Sequence, residues 1–239
     1  PLPDFTKYGE IERSAMNGIR KATVRSMTNA WSSVPMVTQF DKADITQFEA
    51  MRKKFQPRAE AVGAKITPTA MLLKIVAAAL RRFPDFNSSL DTANFEIIRK
   101  KYVNIGVAVA VEEGLLVPVV RFADTKSLSQ IAVEVKDFAQ KAKDKKLQPA
   151  DWEGNTFTIS NLGMFGIDEF TAIINPPDAA ILAVGAISDE LSLVDGKVTS
   201  AKVMKVPMSC DHRAIDGATG SKFLQTLQQF LENPVAMLI

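Results

Sequence analysis

Polar and apolar positions along this chain follow two rhythms, one of three to four residues and one of two, which exchange places several times. From Asn17, a candidate N-cap, Ile19, Thr23, Met27 and Trp31 recur at helical spacing and predict a first helix that ends before Pro35. Met36 to Phe40 reads as a strand. Asp44 and Gln47 have capping-box spacing ahead of a helix carrying Ile45, Phe48, Met51 and Phe55. Thr67-Pro68 opens a third helix that buries Met71, Leu72, Ile75, Val76, Ala79 and Leu80. Beyond Pro84 the period falls to two. Val103, Ile105, Val107, Val109 and Val111 predict one half-buried strand, Glu112-Glu113-Gly114 a turn, and Leu115 to Val120 the return strand. Ser127 with Gln130 forms a second capping box before Leu128, Ile131, Val135, Phe138 and Ala142, whose helix has a lysine-rich outer face. The cluster Lys141 to Lys146 reads as that helix's solvated end. Thr156 to Ser160, Ala179 to Ile187 and Lys202 to Met208 predict further strands, and Leu224, Leu227 and Leu231 mark a final helix.

Helices and strands alternate without a repeat or a low-complexity linker, which predicts one mixed α/β domain over residues 1–239. With 239 residues, 46% of them hydrophobic, the chain is long enough for one substantial core. Its 29 basic and 27 acidic residues supply no positive field for a phosphate backbone, so nucleic acid is not an expected partner. The single cysteine provides no disulfide framework and fits a reducing compartment. Met71 to Leu80 and Ala179 to Ile187, the longest apolar runs, are well short of the ~20 residues of a membrane helix. The abrupt start Pro1-Leu2-Pro3-Asp4 has neither a basic leader nor an apolar signal core, and suggests a domain taken from a longer chain.

His212 is the chain's only histidine, and its side chain titrates where proton transfer near neutrality needs it. A lone histidine also serves as a hydrogen-bonded structural residue. Its neighbours favour chemistry, because Asp211, Arg213 and Asp216 crowd charge that is costly to bury unless paired, and Gly217 permits a tight turn. The run lies at a strand-to-helix junction. One histidine and one cysteine cannot by themselves furnish a typical zinc set, so no metal is expected. Cys210 beside His212 has the chemistry of an activated nucleophile. However, residues i and i+2 share one strand face while catalytic pairs usually come from separate elements, and a small buried cysteine is the better reading. Thr156, Thr158 and Ser160 share another strand face. Their hydroxyls are either simply solvated, or Ser160 donates to an oxyanion formed in acyl transfer. Gly163-Met164-Phe165-Gly166 lacks the spacing and the lysine of a phosphate loop, so nucleotide hydrolysis is not indicated.

Four runs carry a resemblance along nearly the whole chain: Asp211-His212-Arg213-Ala214-Ile215-Asp216-Gly217, Phe157-Thr158-Ile159-Ser160-Asn161-Leu162-Gly163, Gly114-Leu115-Leu116-Val117-Pro118-Val119 and Pro84-Asp85-Phe86-Asn87-Ser88-Ser89. They resemble the catalytic domain of the dihydrolipoamide acyltransferases, the core-forming components of 2-oxo acid dehydrogenase complexes, and more distantly chloramphenicol acetyltransferase. Gly163-Met164-Phe165-Gly166-Ile167 and Ile173-Ile174-Asn175-Pro176-Pro177 are most similar to acetyltransferases of pyruvate dehydrogenase complexes. Asp4 to Glu10 and Val34 to Phe40 resemble bacterial members.

The resemblance implies a two-layer mixed α/β sheet with helices, of the chloramphenicol acetyltransferase type. It implies acetyl transfer between the dihydrolipoyl thiol of a carrier domain and coenzyme A, with lipoyl and partner-binding domains upstream. In that chemistry His212 is the general base, Ser160 the oxyanion donor, and Asp216 a residue that fixes the site, paired here by hypothesis with Arg20 of the first helix. Homotrimers sharing the site between subunits are implied, assembled into 24-mer or 60-mer cores beside pyruvate dehydrogenase and dihydrolipoamide dehydrogenase components. Bacterial cytoplasm, or alternatively the mitochondrial matrix, is the implied location. The apolar run Pro234 to Ile239 fits either such an assembly contact or docking on the domain's own core. Met36 departs from the histidine of many relatives. Acyl transfer of the branched-chain type, a noncatalytic core scaffold and small-molecule O-acetylation are the alternative readings.

Overall fold

The computed structural model of the chain describes residues 2–111 and 114–238. Its helices are α1 (Gly18–Ser33), α2 (Thr46–Glu60), α3 (Pro68–Arg82), α4 (Leu128–Lys143) and α5 (Gly217–Glu232). The first seven strands are β1 (Met36–Gln39), β2 (Lys42–Asp44), β3 (Ser88–Asp91), β4 (Glu96–Arg99), β5 (Ile105–Val107), β6 (Val109–Val111) and β7 (Gly114–Leu116). They are followed by β8 (Val119–Val120), β9 (Phe157–Asn161), β10 (Ala180–Val184), β11 (Ile187–Val194), β12 (Lys197–Lys205) and β13 (Met208–Asp211). Local capping starts three helices where the sequence places them. Asn17 accepts from the Arg20 N–H, Thr67 from that of Ala70, and Ser127 and Gln130 form the full reciprocal box. At the second helix the expectation fails: α2 begins after Ile45, which gives no side-chain cap, and the Asp44 carboxylate accepts from the Thr46 N–H rather than from Gln47.

The main sheet has the order β1-β13-β10-β9-β5-β8, with β9 parallel to β10 and β5 and the other pairs antiparallel. Side chains alternate across it, and that alternation divides core from cleft. Phe157 and Ile159 of β9, with Ala180, Leu182 and Val184 of β10, join the core beneath α3 and α5. Thr158, Ser160 and Ile181 point the other way and line a cavity covered by α1. Helix α3 is apolar almost all round and sits deep, with Leu72, Leu73, Ile75, Val76 and Leu80 buried. On α5, Phe223 stacks on Phe86 at 4.2 Å, and Phe83 and Phe157 approach its ring at 5.7 and 6.3 Å. That aromatic cluster seats the helix on the sheet just after the His212 turn.

Four predicted strands are each broken in two. The 103–111 run divides at Ala108, whose N–H bonds Ile159 in the sheet before β6 leaves to form a hairpin with β7. Its return strand divides before β8 at Pro118, which has no N–H for a ladder but whose carbonyl accepts from Val107. Of the turn predicted between them, Glu112 and Glu113 lie outside the described residues. The 179–187 run stops at Gly185, where a β-carbon would lie 1.8 Å from the Asp168 carbonyl oxygen, and resumes as β11 in another sheet with β12 and β2. The 202–208 run divides at Val206-Pro207. Two hairpins were not anticipated. One, β3–β4, is a separate two-stranded antiparallel sheet; the other joins β11 to β12 through Asp195-Gly196, both in the left-handed region that a tight hairpin turn requires. No helix among the described residues is long and apolar enough to cross a membrane.

Candidate active site

Strand β13 ends at Asp211, which is buried, and the charge crowding around it resolves into a local pair. The Arg213 guanidinium donates to both Asp211 oxygens, at 3.0 Å from Nε and 2.7 Å from a terminal nitrogen, while the Arg213 backbone N–H donates to the same carboxylate. Between these two residues, His212 is exposed, and its backbone N–H donates to the Pro35 carbonyl at 3.0 Å. Asp216 closes the turn as the N-cap of α5. Its carboxylate is held below the usual range first by the Thr219 backbone N–H at 2.7 Å, with the Thr219 side chain, the Ala218 N–H and nearby His212 adding to the effect. The imidazole therefore projects from a turn whose two ends are both hydrogen-bonded.

Cys210 is not the nucleophile. Its thiol is buried, and burial pushes its pKa up to about 11, helped by the Asp211 and Asp216 carboxylates. A thiol held that high is protonated near neutrality, in keeping with a small core residue.

Ser160 lies on β9, half-buried, in the wall of a cavity of about 940 Å³. Asn155 and Thr158 continue this polar wall, and Ile19, Met27, Leu115 and Ile173 make much of the rest apolar. One chain does not bring Ser160 to His212. Ser160 pairs with Ala183 of β10, whereas the Asp211 N–H bonds Ala179, four residues back along the same strand. At strand geometry the two positions are roughly 13 Å apart lengthwise and roughly 10 Å across two strand spacings. His212 is not part of the cavity lining.

The sequence profile of the 2-oxoacid dehydrogenases acyltransferase (catalytic domain) matches residues 8–239. The chain belongs to this family. It is 43% identical to the dihydrolipoyllysine-residue acetyltransferase component of the pyruvate dehydrogenase complex of Pseudomonas aeruginosa, over 100% of this chain and 44% of that protein. The acyltransferase chain thus spans about half the length, or less, of the curated relatives it matches. In structure it superimposes on dihydrolipoamide acetyltransferase of Azotobacter vinelandii with a TM-score of 0.95 and 43% identity, covering 100% of this chain and 98% of that one. The cubic core of the pyruvate dehydrogenase multienzyme complex matches with the same score, identity and coverage. Chloramphenicol acetyltransferase, at 16% identity and a TM-score of 0.50 over 90% of this chain and 96% of that one, shares the fold. The mixed sheet with helices is thus of the chloramphenicol acetyltransferase type.

In this acyltransferase, the ion pair expected between Arg20 and Asp216 does not form within one chain. Arg20 is exposed and has no ion pair among the described residues, and Asp216 spends its carboxylate on the helix cap. At Met36, the sulfur accepts from the Ile174 N–H at 3.3 Å. The sequence reading missed Asp178. It is buried behind the cavity wall and accepts from Asn155 and, at 3.2 Å, from the Thr158 hydroxyl. Burial pushes its carboxyl up to about 7, against the opposing pull of Lys100 and these two hydrogen bonds. The only trace in the sequence is an acid set between Pro177 and an apolar run. At the C-terminus, Ala236 and Met237 pack on the domain's own core while Val235 is half exposed.

Proposed function

We propose that residues 1–239 are the acyltransferase domain of a dihydrolipoyllysine-residue acetyltransferase, which moves an acetyl group between a dihydrolipoyl thiol on a separate domain and coenzyme A. One observation carries the reading. Structural and enzymatic work on the Azotobacter vinelandii relative addressed a serine, a histidine and an asparagine in its catalytic mechanism, the serine 52 residues before the histidine and the asparagine four after it. Ser160 and Asp216 stand at the same two separations from His212. An aspartate here replaces the asparagine, which adds a negative charge beside the base.

The chemistry follows from these groups. A free thiol with a pKa of about 8.5 is mostly protonated near neutrality, so His212 takes its proton as the sulfur attacks the thioester carbonyl. The Ser160 hydroxyl donates to the oxyanion of the tetrahedral intermediate. Collapse breaks the original carbon–sulfur bond, and the departing thiolate recovers the proton from the imidazolium, whose charge Asp216 favours.

Because one chain holds Ser160 and His212 apart, we place the working site between subunits of a homotrimer, His212 from one and Ser160 from its neighbour. Likeness to a cubic core supports further assembly into a 24-mer or 60-mer, with pyruvate dehydrogenase and dihydrolipoamide dehydrogenase components as partners. Arg20 would then meet Asp216 across that interface. Bacterial relatives support a cytoplasmic location. The test is thioester exchange between dihydrolipoamide and acetyl-coenzyme A. His212→Ala is expected to slow it by roughly 10²–10⁴-fold in an intact assembly. Full exchange by that variant would overturn the mechanism, and no exchange by the wild type would leave a core scaffold.

A further inference from the structure

Strand β1 and the residue just before it touch both ends of the turn that carries His212. At one end the Pro35 carbonyl takes the His212 backbone N–H at 3.0 Å. At the other, the Gln39 side chain reaches the first turn of α5, where Nε2 lies 2.8 Å from the Gly217 carbonyl oxygen and 3.3 Å from the Ser221 hydroxyl. Gly217 directly follows Asp216, whose own carboxylate is committed to Thr219. The segment from His212 to Gly217 is therefore pinned by Gln39 of β1 and by Pro35 just ahead of that strand, four positions apart.

Gly220 makes this possible. A β-carbon there would sit 2.2 Å from Gln39 Oε1 and 3.0 Å from its amide carbon. Glycine is a poor choice inside a helix, worse than alanine by about 1 kcal/mol, so its presence one turn into α5 gives up helix stability for the close approach of the amide. Gln39 Oε1 itself is buried with no hydrogen-bond partner, a further cost that a purely structural contact has no reason to keep.

We propose that Gln39 is a positioning residue for the transfer reaction: through the Gly217 carbonyl it sets the phase of the first turn of α5 and so the aim of Asp216 and His212. The inference rests on His212 being the base. A shift of about 1 Å in a catalytic group costs up to about a hundredfold in rate, so a loosened pin is read in kcat.

The test measures thioester exchange by the assembled protein, with melting temperature and particle size as controls. Gln39→Leu, which keeps the bulk and removes the donor, is expected to lower kcat roughly 10–100-fold, with KM for dihydrolipoamide and acetyl-coenzyme A within about threefold of wild type. Gly220→Ala, which favours the helix but displaces the amide, is expected to lower kcat similarly without loss of melting temperature. Combining them should cost no more than the worse single change, since both act through one contact. Wild-type kcat in either single variant, or fully additive losses in the pair, overturns the proposal. If Gln39→Leu fails to assemble, Gly220→Ala alone decides. An inactive His212→Ala beside a fully active Gln39→Leu refutes this inference only, whereas an active His212→Ala refutes the reading on which it rests.

Discussion

Thr158 joins Asp178 to the wall on which Ser160 stands, so a buried titratable group is hydrogen-bonded to the residue two positions along β9 from the proposed oxyanion donor. Its folded-state pKa of about 7 exceeds the ordinary value of 3.8, so between those values the folded chain binds a proton that the unfolded chain has released. Stability from this group is thus fully present at low pH and declines as pH rises toward about 7, by at most about 1.4 kcal/mol per pH unit. Asp178→Asn is expected to flatten that decline in thermal melts taken across the range; an unchanged slope would mean the carboxyl does not titrate there. Ser160→Ala should cost roughly 10²–10³-fold in kcat with KM near wild type, the signature of one lost oxyanion donor, and a change confined to KM would remove that role. His212 was legible because it is the one imidazole, set among charges. Asp178 was not, because its burial is decided by Asn155, Thr158 and Lys100, which no local pattern brings together.

Between the β13 turn and the core, α5 is the connecting element, and Phe223 holds it. Phe223→Ala removes a ring that contacts three other phenylalanines and is expected to destabilise the fold by about 3–5 kcal/mol in urea titration. Loss of less than about 1 kcal/mol would show the cluster to be loosely packed. Helix starts were readable where the cap is local, as at Asn17, Thr67 and Ser127, since the donor lies within three residues. Three of the four strand breaks carried a signal, in Pro118, Gly185 and Pro207, while the break at Ala108 carried none. What they divide was visible only once pairing was known, because hydrophobic alternation continues through a break and does not register a change of sheet.

For the molecule as a whole, the face of α1 is telling. Ile19, Thr23 and Met27 are only half-buried along the cavity and Trp31 is 72% exposed, although their spacing marks an apolar helix face. A single chain leaves that face incompletely covered and leaves Ser160 apart from His212. Mixing His212→Ala and Ser160→Ala subunits after dissociation and reassembly should restore part of the exchange activity, because some interfaces then combine an intact His212 with an intact Ser160. Mixed assemblies with no activity above either parent would place both groups in one chain. Arg20→Gln is expected to lower activity and weaken trimers if it meets Asp216 of a neighbour, and unchanged sedimentation and exchange would refute that pairing.

By itself the sequence determined the alternation of helix and strand, the mixed α/β class, the buried faces of α3, α4 and α5, and the presence of a single histidine set among charges. These depend on local period, capping and residue chemistry, which act within a few positions. Tertiary structure decided where strands break and which sheet receives them, that Cys210 is buried, that Asp211 pairs with Arg213, and that burial raises the Asp178 carboxyl to about 7. It also decided that Ser160 on β9 and His212, on the turn after β13, are held apart within one chain. Each of these depends on contacts between segments distant in sequence, and burial and distance exist only once those segments have met.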